Sequence, residues 1–137
     1  MGQVDFSISA QSKSKTETEV RTDGFRIIVD EPEKWGGTNK GPTPVDFVLA
    51  ALAGCINVIG HSVARAMDYE IRDLQLEISG YLDSEAEHSG YQEINVNVDV
   101  DCDMNQDELQ EWIEQVEKQC PVSDTISREV PINIDIS

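Results

Sequence analysis

The sequence predicts an α+β fold that combines an antiparallel sheet with a long central helix and a second, later helix. Three observations support this prediction. An Asp-Gly turn lies between two strand-like segments, an apolar run follows Gly-Pro-Thr-Pro, and apolar and polar residues alternate in two later segments. With 137 residues, the chain is too short to bury a second independent core. We therefore expect a single domain over residues 1–137.

The chain is strongly acidic, with ten basic residues, 27 acidic residues and a net charge of −17. Such a charge repels phosphate backbones and anionic lipid, so we expect no nucleic acid and no membrane as partners. Residues 1–10 do not have the basic and apolar segments of a signal peptide. We expect a cytoplasmic protein whose three cysteines are free, metal-bound or catalytic.

A β-hairpin is predicted around Asp23-Gly24, because both central positions of a type I′ turn need a positive φ. A further strand is predicted before it, over Val4–Ser9. The predicted cross-strand pairs are Thr22–Phe25, Arg21–Arg26 and Val20–Ile27. The pair Arg21–Arg26 places like charges opposite each other, which is unfavourable unless a carboxylate or an anion answers them. Glu19 and Asp30 lie on the same face and could supply that carboxylate.

The central helix is predicted to begin with a capping box. Thr43 stands at the N-cap, Pro44 at the first helical position and Asp46 at the third, and the helix runs to about Met67. Its first half is apolar on nearly every face, so it must be enclosed on every face. One domain of this size cannot surround it, and we expect a homodimer that shares its core.

The later elements are predicted from their periodicity. Two strands contain alternating apolar residues, the second helix has one apolar face, and a last strand is predicted in VPINIDI. The helix ends at Cys120 because Pro121 disfavours a helical conformation in the residue before it. The apolar residues of these elements are Leu74, Leu76 and Ile78, then Ile94, Val96, Val98 and Val100, then Leu109, Trp112, Ile113 and Val116.

Two of the cysteines are predicted to point into the core. Cys55 shares a helical stripe with Leu52 and Ile59, and Cys120 extends the apolar face of the second helix. Two packed thiols are one interpretation, since free cysteine is among the most buried residue types. A reactive thiol with a resolving partner is the other. Cys102 lies among aspartates, which disfavour a thiolate, so it is a poor candidate nucleophile.

The segments DEPEKWGGTNKGPTPVDFVLAALAGC and CPVSDTI resemble the OsmC/Ohr family, named after osmotically inducible protein C and the organic hydroperoxide resistance protein. The resemblance extends over nearly the whole chain and implies an intertwined homodimer. It also implies reduction of organic hydroperoxides, with Cys55 as the peroxidatic cysteine and Cys120 as the resolving one. An external dithiol would reduce the disulfide formed between them.

The resemblance also implies an arginine that stabilises the thiolate, and a glutamate that pairs with the arginine. We assign the arginine to Arg21, with Arg26 as the alternative. Val45 stands at the glutamate position. Asp46 follows it, but nine helical steps place Asp46 and Cys55 on roughly opposite sides of the helix. The capping box therefore accounts for Asp46.

Other site types are not indicated. The sequence contains no CxxC, no HExxH and no glycine-rich phosphate loop, so we expect no cofactor and no metal. His61 falls on a different helix face from Cys55, and His88 lies in a polar loop. The alternative to a peroxidase is a non-peroxidatic OsmC-like protein that binds a hydrophobic small molecule or senses oxidants. A purely structural role for both thiols is the third possibility.

Overall fold

The computed structural model describes residues 2–137, and its contacts divide the chain into two compact units at Val48–Leu49. The first unit contains a three-stranded sheet and the start of the long helix. The second contains the rest of that helix, a two-stranded sheet and two further helices. No observation tests the expected single domain, which stays a prediction. The elements are β1 Ser9–Ser12, β2 Thr18–Thr22, β3 Phe25–Val29, a 3₁₀ turn Glu33–Trp35, α1 Pro44–Ala66, β4 Asp73–Tyr81, β5 Glu93–Asp101, α2 Gln106–Gln119 and α3 Pro121–Ser127.

The predicted hairpin is confirmed in both its turn and its register. β2 and β3 pair antiparallel, with Arg21 opposite Arg26. Asp23 and Gly24 have φ values of 46° and 83°, as a type I′ turn requires. The short-range turn preference therefore determines which residues face each other across this sheet.

The strand before the hairpin begins later than predicted. β1 covers Ser9–Ser12 and pairs antiparallel with β2, so that Ser9 lies opposite Arg21. Only Thr22 remains in β2 beyond that pair, and the residues before Ile8 therefore have no strand opposite them. The side chains of Val4 and Phe6 are 75% and 91% exposed. The strand predicted over Val4–Ser9 was wrong because alternation does not reveal whether a neighbouring strand is long enough.

A buried aspartate organises the loop between β3 and α1. Asp30 is fully buried and accepts hydrogen bonds from the Thr38 hydroxyl and from the backbone N–H groups of Glu31 and Lys40. The bond from Thr38 is the main reason that the pKa of Asp30 lies well below its usual range, although burial opposes the shift. This carboxylate ties the loop to the end of the sheet.

The start of α1 has the predicted capping box. The Thr43 hydroxyl accepts from the Asp46 N–H at 3.1 Å, and the Asp46 carboxylate accepts from the Thr43 N–H at 3.1 Å. These two bonds satisfy donors that the first turn of a helix leaves free. The carboxylate of Asp46 is thereby committed to helix capping.

The second unit is built around the buried stripe of α1. Trp112 of α2 is 1% exposed, and its Nε1–H donates to the Gly60 carbonyl at 2.8 Å. A Cβ atom at Gly60 would lie 3.0 Å from the Trp112 ring, so glycine permits this close approach. The buried apolar cluster comprises Leu52, Ile56, Val63, Ala64, Ile71, Met104, Trp112, Val116 and Cys120.

The predictions for the two later strands and the second helix are confirmed, whereas the prediction for the segment after residue 128 is wrong. β4 and β5 pair antiparallel over their full length, and Asn105 and Glu108 form a capping box at the start of α2. The last predicted strand is wrong, because residues 129–137 adopt no strand. Ile132, Ile134 and Ile136 are 83–98% exposed, so this alternating segment contacts no sheet within the described part of the chain.

Much of the apolar surface of α1 is not covered. By length and composition alone, helix α1 could cross a membrane. Only 28% of its most apolar 18-residue segment is buried. The core helix of a soluble protein has the same composition, but it is mostly covered. Val58 is 66% exposed. One face of this helix is therefore exposed among residues 2–137.

Candidate active site

Two cysteines from distant parts of the chain meet in the second unit. Cys55 lies in the middle of α1 and packs against the buried cluster, whereas Cys120 belongs to that cluster and is 1% exposed. The Cys120 thiol donates a hydrogen bond to the Cys55 sulfur, with 2.8 Å between the two Sγ atoms. Both side chains are free thiols. The structure therefore brings together the two cysteines that the sequence singled out.

The position of Cys120 follows from the junction of α2 and α3. Its backbone N–H closes α2 on the Val116 carbonyl at 3.0 Å. Pro121 then occupies the first position of α3, where its missing N–H costs nothing. The Cys120 sulfur accepts from the Ser123 N–H at 3.4 Å. The sulfur is thus held at a helix start and in contact with Cys55.

The surroundings of Cys55 favour its neutral thiol. Burial is the main cause of the raised pKa of Cys55, and the hydrogen bond and charge of Cys120 raise it further. The N–H of Val122 donates to the Cys55 sulfur and opposes this shift. Since a thiolate is the nucleophilic form, these contacts do not by themselves activate Cys55.

A cleft of about 670 Å³, lined by both apolar and polar side chains, reaches Cys120. One wall is formed by α1 and α2, another by β5, and the rim by α3 and the segment before β5. None of the described residues that line it is Lys, Arg or His. The apolar lining comprises Leu52, Ile56, Ile94, Val96, Val98, Ile113, Val116 and Ile126, and the polar lining comprises Tyr91, Gln92, Glu93, Glu117, Ser123 and Ser127.

The two candidate arginines lie in the first unit and share one carboxylate. Arg21 Nε donates to Glu19 at 3.1 Å, and Arg26 Nε donates to the other oxygen of Glu19. The bond from Arg26 is the largest cause of the lowered pKa of Glu19. Asp30, which the sequence also placed near these arginines, binds the following loop instead. Arg21 and Arg26 side chains are 64% and 54% exposed, so both have surface free to meet a further group.

The other residues that the sequence analysis considered do not belong to the thiol pair. Cys102 is half-buried and packs against the core cluster. His61 and His88 are exposed, and the described residues contain no group of His, Cys, Asp and Glu that could hold a metal ion. Val45 follows Pro44 in the first turn of α1, at the position where the resemblance implied a glutamate.

Sequence reasoning did not identify Glu117, Val122 and Ser123. Glu117 stands three residues before Cys120, and this helical spacing could have placed it on the same face. The backbone N–H groups of Val122 and Ser123 could not have been identified from helical spacing, because their contacts with the two sulfur atoms depend on how α3 is placed in the fold. The chemistry available is thus a thiol pair, two amide donors and a cleft whose lining combines aliphatic side chains with two carboxylates.

Residues 37–135 match the family of OsmC-like proteins. The chain belongs to this family. The match includes α1, both strands of the second sheet, α2 and α3, and therefore both cysteines of the thiol pair. The resemblance noted in the sequence is confirmed, and so is the α+β fold class with its antiparallel pairing.

Two curated relatives carry an enzymatic name. A protein from Mycoplasma genitalium named hydroperoxide reductase is 26% identical over 134 residues, which is 96% of this chain and 94% of the relative. A hydroperoxide reductase from Mycoplasma pneumoniae is 25% identical over 136 residues, with 96% and 95% of the two chains covered. The likeness thus extends from one end of the molecule to the other.

Solved structures support the same fold. The crystal structure of an OsmC-like protein from Mycoplasma pneumoniae has a TM-score of 0.83 at 24% identity, covering 92% of this chain and 89% of the other. The organic hydroperoxide resistance protein OhrB of Bacillus subtilis has a TM-score of 0.62 at 22% identity, with 88% and 89% covered. At these identities the likeness establishes the fold.

Proposed function

We propose that this protein is a cytoplasmic, thiol-dependent reductase of organic hydroperoxides that uses Cys55 and Cys120. The observation that carries the proposal is the 2.8 Å separation of the two sulfur atoms, and the partner sulfur, that of Cys120, also lines a cleft. The full-length similarity to two hydroperoxide reductases supports it.

The proposed cycle has three steps. The Cys55 thiolate attacks one oxygen of the O–O bond, which forms a Cys55 sulfenic acid and an alkoxide that takes up a proton to become an alcohol. The Cys120 thiol then attacks the sulfenic sulfur, forming a disulfide and releasing water. Finally, an external dithiol reduces this disulfide by exchange and is itself oxidised to a disulfide. The peroxide is thereby reduced by two electrons.

A guanidinium is proposed to supply the missing stabilisation of the thiolate. The chain's own contacts raise the pKa of Cys55, and a nearby cation lowers a thiol pKa. We assign this role to Arg21 in a homodimer, where the exposed face of α1 and the hairpin of a second copy cover each other. The uncovered apolar surface of α1 supports the dimer.

Intact-mass measurement after one equivalent of an alkyl hydroperoxide tests the cycle. Wild type is expected to lose about 2 Da as the disulfide forms, and Cys120→Ser to gain about 16 Da as the sulfenic acid persists. Cys102→Ser is the matched control and should behave as wild type. If Cys55→Ser gains the oxygen and Cys120→Ser does not, the roles of the two cysteines are reversed.

Steady-state turnover with a dithiol then separates an enzyme from a sensor. Sustained alcohol production supports the reductase, whereas disulfide formation without turnover indicates an oxidant sensor. Arg21→Ala is expected to move the pH profile of Cys55 alkylation to higher pH, because the thiolate loses its cation. Arg26→Ala is the matched control, and an equal shift in both variants would contradict the assignment to Arg21.

A further inference from the structure

We propose that Glu19 is the positioning residue for Arg21, and that it holds the guanidinium in the orientation in which it stabilises the Cys55 thiolate of a second copy. This inference rests on the proposed function, and it adds to that function the group that fixes the arginine. In this role Glu19 touches neither the thiol nor the peroxide, and it acts only through Arg21.

Glu19 is enclosed by the strands on either side of it. It lies in the middle strand of the first sheet, opposite Gln11 of β1 and Ile28 of β3. Its side chain is 10% exposed, whereas the side chains of the two arginines that it binds are more than half exposed. Burial removes rotamer freedom from a glutamate side chain. The carboxylate is therefore a fixed point against which a longer, exposed side chain can be oriented.

The bond between Glu19 and Arg21 determines how the guanidinium is presented. The two residues are two apart in β2, so their side chains share one face of the sheet. Arg21 Nε donates to Glu19 at 3.1 Å, and Arg26, which lies opposite Arg21, donates to the other oxygen. A guanidinium is planar and has five N–H donors in a fixed arrangement. A bond through Nε therefore orients the plane and leaves the terminal amino groups for an anion.

The two arginines carry one more charge than Glu19 balances. The bond from Arg26 is the largest cause of the lowered pKa of Glu19, so the carboxylate stays ionised at neutral pH. The nearest other carboxylates along the chain have different partners, because Asp30 binds the following loop and Glu17 pairs with Lys40 at 3.4 Å. The surplus is one positive charge, and a positive charge favours a thiolate placed beside it.

The first turn of α1 is not a second source of such a carboxylate. Val45 is apolar, and the carboxylate of Asp46 accepts from both the N–H and the hydroxyl of Thr43. The carboxylate that holds the guanidinium is thus supplied by strand β2.

Glu19→Asp separates the position of this carboxylate from its charge. The charge is kept, but the side chain is one methylene shorter, so the guanidinium loses its fixed partner. In the full-length protein, the pH midpoint for alkylation of the Cys55 peptide is expected to rise, and alkylation at neutral pH to slow by roughly three- to tenfold. Glu17→Asp is the matched control, because it makes the same change at a carboxylate that binds Lys40, and its midpoint should equal that of wild type. An unchanged midpoint in Glu19→Asp overturns the inference.

A double-mutant cycle tests whether Glu19 acts through the arginine. Adding Glu19→Asp to Arg21→Ala should raise the midpoint no further than Arg21→Ala alone, because no guanidinium is left to position. A further rise in the double variant overturns the positioning role, since it would show a general loss of structure or a direct effect on the thiol. An unchanged midpoint in Arg21→Ala overturns the assignment of Arg21 and this inference together. The loss of about 2 Da by wild type after one equivalent of alkyl hydroperoxide reports the thiol cycle separately.

Discussion

Cys120 ends α2, begins α3 and contacts the thiol of Cys55. Its neighbour in sequence, Pro121, makes this junction possible, because proline ends one helix and suits the first turn of the next. Cys55, by contrast, lies inside a continuous helix. The two thiols therefore differ in backbone setting, and Cys120 is the one whose position depends on a helix boundary.

Replacement of Cys120 by serine is expected to lower the pKa of Cys55. The neighbouring thiol raises that pKa through its hydrogen bond and its charge, and serine removes the second charge. In a Cys102→Ser background, the pH midpoint for alkylation of the Cys55 peptide should move to lower pH when Cys120→Ser is added. An unchanged midpoint would mean that the two sulfurs do not interact in solution.

The same pKa shift predicts how stability depends on pH. A thiol with a raised pKa in the folded state holds its proton when the unfolded chain has lost it, above about pH 8.5. The free energy of unfolding should therefore fall as the pH rises above about 8.5. Urea denaturation should show a smaller fall for Cys55→Ala than for wild type, and equal slopes would show that Cys55 does not contribute.

At the scale of elements, one buried side chain of α2 both packs against α1 and donates a hydrogen bond to it. Trp112 fills the space above Gly60 and donates to its carbonyl. Because α2 also carries Cys120 and Glu117, the packing of this tryptophan positions both the thiol and the lining carboxylate. The amphipathic pattern of α2 predicted its buried face, but it could not identify Gly60 as the point of contact.

Trp112→Phe is expected to reduce the free energy of unfolding by about 1–3 kcal/mol, since it removes the indole hydrogen bond and part of the packing. Trp35→Phe is the matched control, because Trp35 is 62% exposed. Its effect should stay within about 0.5 kcal/mol. Urea denaturation followed by circular dichroism measures both variants. Equal losses would show that the Trp112–Gly60 contact does not hold α2 in place.

The incorrectly predicted strands illustrate what periodicity leaves open at this scale. Residues 4–8 and 130–136 alternate as well as β4 does, yet their apolar side chains remain exposed. A strand needs a partner for its backbone groups as well as an alternating pattern. β4 has β5 opposite it along its full length, whereas neither terminal segment has such a neighbour within the described residues.

At the scale of the whole molecule, the exposed face of α1 predicts a dimer. Val58→Glu places a charge on this face and is expected to shift the protein from dimer to monomer in sedimentation velocity. Leu82→Glu is the matched control, because Leu82 is 50% exposed in the polar loop after β4. A wild-type protein that is monomeric at micromolar concentration would contradict the proposed dimer and the proposed role of Arg21.

The sequence by itself determined the hairpin register, the capped starts of α1 and α2, the paired strands and the apolar stripes that contain both cysteines. These features depend on turn preferences, capping residues and periodicity, which act over a few neighbouring residues. The tertiary structure alone decided that sulfurs 65 positions apart lie in contact. It also decided that Glu117 lines a cleft and that the terminal segments form no sheet. Such contacts depend on the packing of distant elements, which no local pattern specifies.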